Sequence, residues 1–472
     1  MNGLLRTLVC LLILSMAFGC RKFVQASLPT TELIGPTVYS SNSTAASAVT
    51  GILQTMVGNS IGGGPMGVSA LVGLSADDFT LYPAAQLLQQ QVYLNAQVGI
   101  NPPGIWADLY NVIYQTNSAI SGISSSSAIS TDTKQQLLGE CEVMRAFCYF
   151  YLVNLYGDVP LILAPDYQTS EKFSRTASTE VYRQIIIDLV NAKSSLSQNY
   201  LTPGGAVTSE RVRPNVAVAT ALLARVYLYI GSYDSAEIEA TAVINNTQFS
   251  LVQDLDSAYL ASNSEAIWQL ESIDNGLNAP DGAAFLLNQV GGPSTSFPYI
   301  LSDSLEYEFE PGDLRAVHWT DSMTVGAAVY YFPYKYKQYY TGQPPTEYPT
   351  LLRLAEQYLI RAEARAQEGK LTGTNSAQAD LNVVRNRAGL PNTMASTAAD
   401  LEAAILRERR FELFTEYGHR WLDLKRTQNV DAVMSVAAAL KGGNWTNTDS
   451  LYPIPTIDIQ ADGNLVQNPG YN

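Results

Sequence analysis

The sequence is poor in histidine, which many metal and hydrolytic sites require. Of 472 residues only two are histidine, His318 and His419, and neither lies in a recognisable motif. Many zinc sites use histidine ligands, and a serine–histidine hydrolase needs histidine in a defined arrangement with its partners. The composition therefore argues against both classes, and no cofactor is expected.

Charged residues are also scarce, and their signs are unbalanced. They make up 15% of the chain, and 43 Asp and Glu against 28 Lys and Arg give a formal net charge of −15. Nucleic-acid binding depends on clustered Lys and Arg that neutralise phosphates. Because the sequence contains no such cluster, we do not expect it to bind nucleic acid.

The four cysteines do not indicate a disulfide framework. Cys141 and Cys148 lie seven residues apart on one predicted helix. A rise of about 1.5 Å per residue would separate their Cα atoms by about 10.5 Å, which is too far for a disulfide. Both are predicted to be thiols in the core.

Long apolar segments are missing after residues 1–19. The apolar run at residues 8–14 is far shorter than the ~20 residues of a membrane-spanning helix. Arg6 precedes this run and a small-x-small cleavage site follows it, so residues 1–19 are predicted to be a signal peptide. Cys20 would then begin the mature chain and carry several acyl chains as a membrane anchor, with residues 20–36 as a tether. The alternative is a chance cysteine after an ordinary signal peptide.

Apolar residues and tyrosine are abundant. Hydrophobic residues make up 46% of the chain, which is ample for a core and excludes global disorder. The 28 tyrosines outnumber the 13 phenylalanines and 5 tryptophans together, so the surface must use tyrosine and neutral polar groups. The length permits two to four domains or one large body.

Helical periodicity dominates most of the chain. It predicts helices over residues 43–57, 84–98, 104–122, 132–156, 178–196, 214–230, 233–245, 350–368, 376–388 and 398–426. Three of these share the pattern Ala-x-x-Tyr, at 146–149, 224–227 and 355–358. In the last two, a turn and a second helix follow, near Ser235 and Ser376. This weak repeat predicts interrupted, tetratricopeptide-like helix pairs.

The region from residue 250 to residue 348 has a different character. Gly, Pro, Ser, Asp and Tyr dominate it, and the helical periodicity fades. A short apolar piece at residues 266–270 is compatible with a strand. The region is therefore predicted to be irregular and rich in loops.

Several short strings occur in a fixed order from Cys20 to the C-terminus. They are Cys20-Arg21-Lys22-Phe23, Trp106-x-x-Leu109-Tyr110-x-x-Ile113-x-x-x-Asn117, Arg145-Ala146-Phe147, Gly157-Asp158-Val159-Pro160-Leu161, Arg353-Leu354-Ala355-Glu356-x-Tyr358, Arg385-x-Arg387-Ala388-Gly389, Glu408-Arg409-Arg410-x-Glu412, Arg420-Trp421-x-Asp423-Leu424, Tyr452-Pro453-Ile454-Pro455 and Asn468-Pro469-Gly470-Tyr471. In this order they resemble the SusD/RagB family, surface lipoproteins of Bacteroidetes nutrient-uptake systems.

The resemblance implies a fold and a function. The fold would be mainly α, with tetratricopeptide-like helix pairs beside an irregular, loop-rich ligand side. The body would span residues 37–472, with helical repeats mainly at 104–245 and 350–426 and the irregular region at about 250–348. The function would be to capture a nutrient, most often an oligosaccharide, at the outer membrane and pass it to a SusC-like TonB-dependent channel. A peptide ligand, as in the RagB branch, is the alternative, and no catalysis is implied.

Two interpretations compete for the charged C-terminal helix. Glu408, Glu412, Glu416 and Asp423 could supply the paired carboxylates of a glycoside hydrolase. The simpler interpretation is structural, with Arg409 and Glu412, and Glu416 and Arg420, as ion pairs within one helix. Similarly, Arg145, Arg353 and Arg361 are expected to pair with Glu142, Glu356 or Glu363 rather than to touch ligand.

Ligand capture is expected in the irregular half and in residues 77–82. Sugars present apolar C–H faces and many hydroxyls, so a site needs exposed aromatic rings beside hydrogen-bonding groups. The candidate ligand residues are Asp78, Tyr82, Phe297, Tyr299, Trp319, Tyr330, Tyr331 and Tyr339. Adjacent residues of a strand point to opposite faces, so Tyr330 and Tyr331 cannot both face the ligand if they lie in one.

A metal site is not expected. Asp254, Asp256 and Asp313 could contribute to a calcium site, but the full spacing of a calcium-binding loop is not present.

Overall fold

A computed structural model describes residues 38–165, 174–272 and 276–471. The predicted signal peptide, the lipidation site at Cys20 and the tether at residues 20–36 lie outside the described residues. The hydrophobic core is continuous along the chain, since one cluster of buried side chains runs from Ala45 to Leu465. Within the described ranges, no helix is both long and apolar enough to cross a membrane.

The first half of the chain is helical, apart from one short strand. The elements are α1 (Asn42–Val57), α2 (Val68–Ser75), β1 (Phe79–Leu81), α3 (Leu87–Tyr93), α4 (Ile105–Ser125), α5 (Thr131–Tyr156), α6 (Ser178–Ser195), α7 (Val216–Tyr229) and α8 (Tyr233–Ile244). The long predicted helices are confirmed to within a few residues. α2 was not predicted, because all eight of its residues are buried and no polar face marks a period.

The predicted helix pairs are present. α7 and α8 form one pair, and α13 (Leu354–Gln367) and α14 (Ala377–Arg387) form another. Ala224 of α7, Ala236 and Ala240 of α8, and Ala364 of α13 share one small cluster of fully buried side chains. Small residues at these positions let the helices approach closely, so the mainly α fold with tetratricopeptide-like pairs is confirmed.

The irregular half contains short elements between loops. They are β2 (Ala266–Gln269), α9 (Pro280–Phe285), α10 (Leu287–Val290), β3 (Tyr299–Leu301), α11 (Asp303–Glu306), α12 (Arg315–His318), β4 (Thr320–Val325), β5 (Ala328–Pro333) and β6 (Thr350–Arg353). The strands pair antiparallel in twos, as β1 with β3, β2 with β6, and β4 with β5. The strand predicted at residues 266–270 is therefore confirmed as β2.

The C-terminal part returns to helix, as α15 (Ala398–Leu413), α16 (His419–Arg426), α17 (Val430–Lys441) and α18 (Thr456–Ala461). The prediction of one continuous helix over residues 398–426 is wrong. Thr415, Tyr417 and Gly418 all have positive φ, which breaks the helix between α15 and α16.

Two contacts explain this break. Lys335 donates hydrogen bonds of 2.8 Å to the backbone carbonyls of both Glu412 and Phe414, which a continuing helix would use itself. Gly418 approaches α2 so closely that a Cβ there would lie 2.4 Å from a methyl carbon of Val72. The chain therefore needs a glycine at this turn, and α16 can begin only beyond it.

Candidate ligand-binding site

Most charged residues of the sequence strings between Arg145 and Asp423 are buried inside the protein. We call this cluster the charged core; its members are all at least nine-tenths buried, and they are Glu265, Asp313, Arg315, Lys335, Arg353, Arg387, Glu408, Glu412 and Glu416. Arg353 is central to it, at 3.0 Å from Glu265, 2.5 Å from Glu412 and 2.8 Å from Glu416. The cluster joins β2, β6, α14 and α15, so it fixes the irregular half to the helix pairs.

The ion pairs predicted within one helix are wrong. Arg409 pairs with Asp423 of the next helix at 2.8 Å. Arg420 pairs with Asp77, far away in the sequence, at 2.7 Å. The spacing along a helix permits a local pair, but Arg409 and Asp423 are buried and Arg420 and Asp77 are largely so. Removing a charge from water costs free energy, and a close partner of opposite charge offsets that cost even when it is distant in the sequence.

The partners expected for three other arginines also differ, and Arg353 pairs within the charged core and not with Glu356. Arg145 pairs with Asp188 at 2.7 Å rather than with Glu142. Arg361 pairs with Asp380 at 2.7 Å, not with Glu363. These arginines are nevertheless buried and ion-paired, so the interpretation that they serve the structure rather than a ligand holds.

Electrostatics keep the carboxylate of Glu412 ionised. Burial alone would raise the pKa of Glu412, but Arg387, Arg353 and Arg315 together hold that pKa well below its usual value. Burial lowers the pKa of Lys335 to about 8, against the opposing effect of Glu416 at 2.5 Å. General acid catalysis would need a carboxyl with a raised pKa, so the arrangement around Glu412 supports a structural role.

Trp319 is not an exposed aromatic ring, and the expectation that it faces the ligand is wrong. Its side chain is fully buried, and the indole N–H donates to the carbonyl of Leu255 at 3.0 Å. Its ring lies 5.8 Å from that of Tyr259, and the ammonium of Lys335 lies 4.7 Å from its ring centre. Trp319 therefore packs on the charged core, where its indole ring contacts buried cations and excludes water from them.

Two further candidates are buried as well, which corrects their placement at the ligand. Tyr299 is fully buried, and its ring lies 5.5 Å from that of Phe79 and 5.7 Å from that of Phe285. Asp78 is 1% exposed, lies 3.5 Å from Arg410, and has its pKa raised to about 6 by burial. Neither side chain offers a surface to a ligand.

The structure does bring three of the candidates together. Phe297, Tyr330 and Tyr339 are partly exposed and pack, with Tyr334, on one small apolar cluster. We call these four rings the aromatic patch. The buried base of the patch consists of Leu286, Leu287 and Phe332. Loops and short elements that are distant in sequence thus converge on one aromatic surface.

Neutral amides occupy the rim of the aromatic patch. The side chain of Gln289, on α10, donates to the carbonyl of Lys337 at 2.9 Å and accepts from the backbone N–H of Tyr339 at 3.1 Å. The side chain of Asn288 donates to Asp321 at 3.3 Å. Sequence reasoning missed both amides, since a four-residue helix leaves no periodic signal.

The β4–β5 hairpin determines which tyrosine faces the patch. Tyr330 and Tyr331 are neighbours on β5 and point to opposite faces, as predicted for a strand. Tyr331 packs instead against Tyr307, with ring centres 6.1 Å apart. The hairpin can approach α10 because residue 292 is a glycine, where a Cβ would lie 2.8 Å from Val325. Tyr331 is therefore not part of the patch.

Tyr82 lies near the patch without belonging to its cluster. Its backbone N–H donates to the carbonyl of Pro298 at 2.8 Å, next to Phe297, and its side chain is partly exposed. This contact extends the β1–β3 pairing and places residue 82 at the edge of the patch.

The acidic residues considered for calcium do not meet. Asp313 is buried against Arg315 at 2.8 Å, and Asp256 pairs with Lys337, also at 2.8 Å. Over the described part of the chain, no three His, Cys, Asp or Glu side chains come together as a metal site would require. Cys141 and Cys148 are buried and free, as predicted.

Comparison with known proteins assigns the family. The model of the SusD family matches residues 305–471, and a SusD-like model described as starch-binding and associating with the outer membrane matches residues 41–228. The chain belongs to the SusD/RagB family. The sequence strings and the fold agree with this assignment.

Relatives of this SusD-like chain include both sequences and solved structures. SusD-like protein P2 of Formosa agariphila is 27% identical over 420 residues, covering 78% of this chain and 80% of that protein. The starch-binding protein SusD of Bacteroides thetaiotaomicron is 32% identical over 197 residues, covering 41% of this chain and 31% of that protein. A laminarin-binding SusD-like protein superposes with a TM-score of 0.75 at 23% identity, covering 92% of this chain and all of that structure, which establishes a shared fold.

Proposed function

We propose that this SusD-like protein binds an oligosaccharide at the cell surface through the aromatic patch and delivers it to a TonB-dependent outer-membrane channel. The observation that carries the proposal is the patch itself. Four partly exposed rings converge on one apolar base beside two amide side chains.

The chemistry of the patch suits a sugar. A sugar ring has an apolar C–H face that stacks on aromatic rings and a ring of hydroxyls that needs hydrogen-bond partners. The rings of Phe297, Tyr330, Tyr334 and Tyr339 supply the first, while Asn288 and the tyrosine hydroxyls can supply the second. The relatives of this chain include a starch-binding and a laminarin-binding protein, which supports a glycan in preference to a peptide.

No catalysis is proposed. The carboxylates that could serve a glycoside hydrolase, Glu408, Glu412, Glu416 and Asp423, are buried and held in ion pairs. These contacts support a binding protein that hands its ligand on unchanged.

Calorimetry with a panel of oligosaccharides tests the proposal. We expect one class to bind, and we expect Tyr330→Ala and Tyr334→Ala each to cost about 2 kcal/mol or more of binding free energy, about 30-fold in Kd. Tyr307→Ala is the matched control, because Tyr307 is 69% exposed and lies on the other face of the hairpin.

Two results would contradict the site. If the patch variants bind as the unaltered protein does while Tyr307→Ala loses affinity, the ligand lies elsewhere. If only peptides bind, the ligand class is wrong and the chain resembles the RagB branch in function.

The membrane anchor is part of the proposal and is tested separately. Cys20 follows a small-x-small cleavage site, so Cys20→Ala should move the protein into the soluble fraction when the partner channel is deleted. A variant that stays with membranes in high salt and detergent-free buffer would show that another element is the anchor. With Cys20 intact, the channel should co-purify with the protein from outer membranes, and its absence would contradict the delivery role.

A further inference from the structure

The segments that build the aromatic patch contain almost no cations. Residues 276–301, which carry α10 and Phe297, contain neither lysine nor arginine. Residues 319–346, which carry the hairpin and Tyr339, contain two lysines, Lys335 and Lys337, and no arginine. Within these segments, any attraction of the patch for an anionic ligand therefore depends on these two ammonium groups.

The charge of Lys335 is not available at the patch. Its side chain is 3% exposed and lies 2.5 Å from Glu416. It also donates to the carbonyls of Glu412 and Phe414, both at 2.8 Å. All three of its N–H groups therefore have partners within the charged core.

The charge of Lys337 is also committed, although this residue lies beside the patch. Its ammonium lies 2.8 Å from Asp256 and 4.0 Å from the ring centre of Tyr334. It donates to the carbonyls of His318 and Tyr334, the latter at 2.7 Å. Its side chain is 16% exposed. Lys337 therefore fixes the position of Tyr334 and has no N–H left for a ligand.

The one partly exposed carboxylate of these segments lies at the rim. Asp321, on β4, accepts from Asn288 at 3.3 Å and from the N–H of Ser322 at 2.7 Å. The other acidic residue, Asp281, is buried and accepts from the N–H of Gly64 at 2.9 Å. The local charge at the rim is therefore negative, in a chain whose formal net charge is −15.

We infer that the aromatic patch selects uncharged oligosaccharides and rejects acidic ones such as uronate-containing or sulfated glycans. This inference rests on the proposed function. A carboxylate or sulfate that leaves water needs a charge-assisted partner, usually arginine or lysine. The patch has no free cation to provide one, and Asp321 would repel the anion. Neutral sugars need only ring faces and amide or hydroxyl partners, which the patch offers.

The test compares size-matched neutral and acidic ligands by calorimetry. The probes are gluco-, manno-, galacto- and xylo-oligosaccharides on one side and oligogalacturonate and oligomannuronate on the other. We expect the Kd of any acidic oligosaccharide to be at least about 30-fold higher than that of the neutral oligosaccharide that binds. Because no ion pair forms, Kd should change less than about twofold between about 50 mM and about 500 mM NaCl.

A charge reversal at the rim sharpens the test. Asp321→Lys should raise the affinity for oligouronates by about tenfold, the effect of one new ion pair of about 1.4 kcal/mol. Asp132→Lys changes net charge by the same amount at an exposed residue of the first turn of α5, and should leave oligouronate binding unchanged. Equal gains in both variants would overturn the inference, because the cause would then be the overall charge.

The outcomes separate the inference from the function on which it rests. Binding of an oligouronate that is lost in Tyr334→Ala would overturn the neutral preference and leave glycan binding at the patch intact. No binding of any oligosaccharide, neutral or acidic, would overturn the proposed function itself. Neutral binding that Tyr334→Ala weakens, together with the Asp321→Lys gain, would support both.

Discussion

The charged core and the aromatic patch meet at two consecutive residues, yet they are built on opposite principles. Tyr334 belongs to the patch, while Lys335 is 97% buried in the charged core, where it bonds to Glu416. In the core, guanidinium and carboxylate groups are buried and paired, as Glu412 is with Arg353 at 2.5 Å and with Arg315 at 3.1 Å. In the patch, rings are partly exposed and the only polar groups of α10 at its rim are amides.

This difference separates the residues that position the candidate site, in the charged core, from those proposed to bind the ligand, in the aromatic patch. Buried ion pairs tolerate few changes, because removing one partner leaves a charge without compensation. Four members of the core lie in the recognisable strings, namely Arg353, Arg387, Glu408 and Glu412. The patch lies on loops and short elements, where side chains can change without loss of the fold. The family pattern thus identifies the scaffold, and under the proposed function the ligand would be set by residues outside that pattern.

The largest expected effect is on the charged core. Arg353→Met leaves Glu265, Glu412 and Glu416 with one cation fewer, and should cost about 3–5 kcal/mol of unfolding free energy. Urea denaturation followed by circular dichroism measures this. The control is Arg183→Met, whose pair with Glu180 is more than half exposed and should matter by no more than about 0.5 kcal/mol. Similar costs for both variants would contradict the distinction between core and surface charge.

Trp319 tests where the core ends. Trp319→Ala removes a fully buried ring and its hydrogen bond to Leu255, and should cost about 3–5 kcal/mol of stability. Trp319→Phe keeps most of the volume and should cost less. The Tm of each variant and its Kd for the neutral ligand are the measurements. A nearly unchanged Tm with weakened binding would show that Trp319 contacts the ligand and contributes little to the core.

Asp281 is a buried carboxyl without the guanidinium partners of the core. Its pKa is raised, whereas that of Glu412 is lowered, so its contribution to stability should change with pH in the opposite direction. Burial raises its pKa to about 7, although Gly64 donates to it at 2.9 Å. A raised pKa means that the folded state binds the proton more tightly, so this stability is present at low pH and is lost as pH rises through about 7. The unaltered protein should lose about 2–3 kcal/mol from this group between pH 5 and pH 8.

Asp281→Asn removes that titration. Its stability should therefore fall less between pH 5 and pH 8 than that of the unaltered protein, as chemical denaturation at each pH would show. Parallel curves for the two proteins would mean that residue 281 stays ionised throughout this range.

Much of the scaffold could be predicted, because its signals are periodic or ordered. The long helices follow from apolar spacing, and the pairs around Ala224 and Ala364 follow from a small-to-aromatic repeat. The break after Leu413 could not be predicted, since the residues that cause it, Lys335 and Val72, are distant in the sequence.

The site could be predicted only in part. Phe297, Tyr330 and Tyr339 share the patch, as their place in an aromatic, aperiodic region suggested. Trp319 lies in the same region but is buried, because two of the cations that surround it, Arg353 and Arg387, come from other parts of the chain. Exposure in an irregular segment depends on tertiary contacts, and local sequence does not contain them.

The smallest expected effect distinguishes the two faces of the hairpin. Tyr330→Ala should weaken neutral-glycan binding about 30-fold, whereas Tyr331→Ala should leave Kd within about twofold, because Tyr331 faces Tyr307 and not the patch. The two positions are adjacent on one strand, so both substitutions should affect the backbone and the hairpin similarly. Calorimetry on the pair, with a melting curve for each, makes the comparison. Equal losses of affinity would mean that the ligand wraps around the edge of the hairpin and contacts both of its faces.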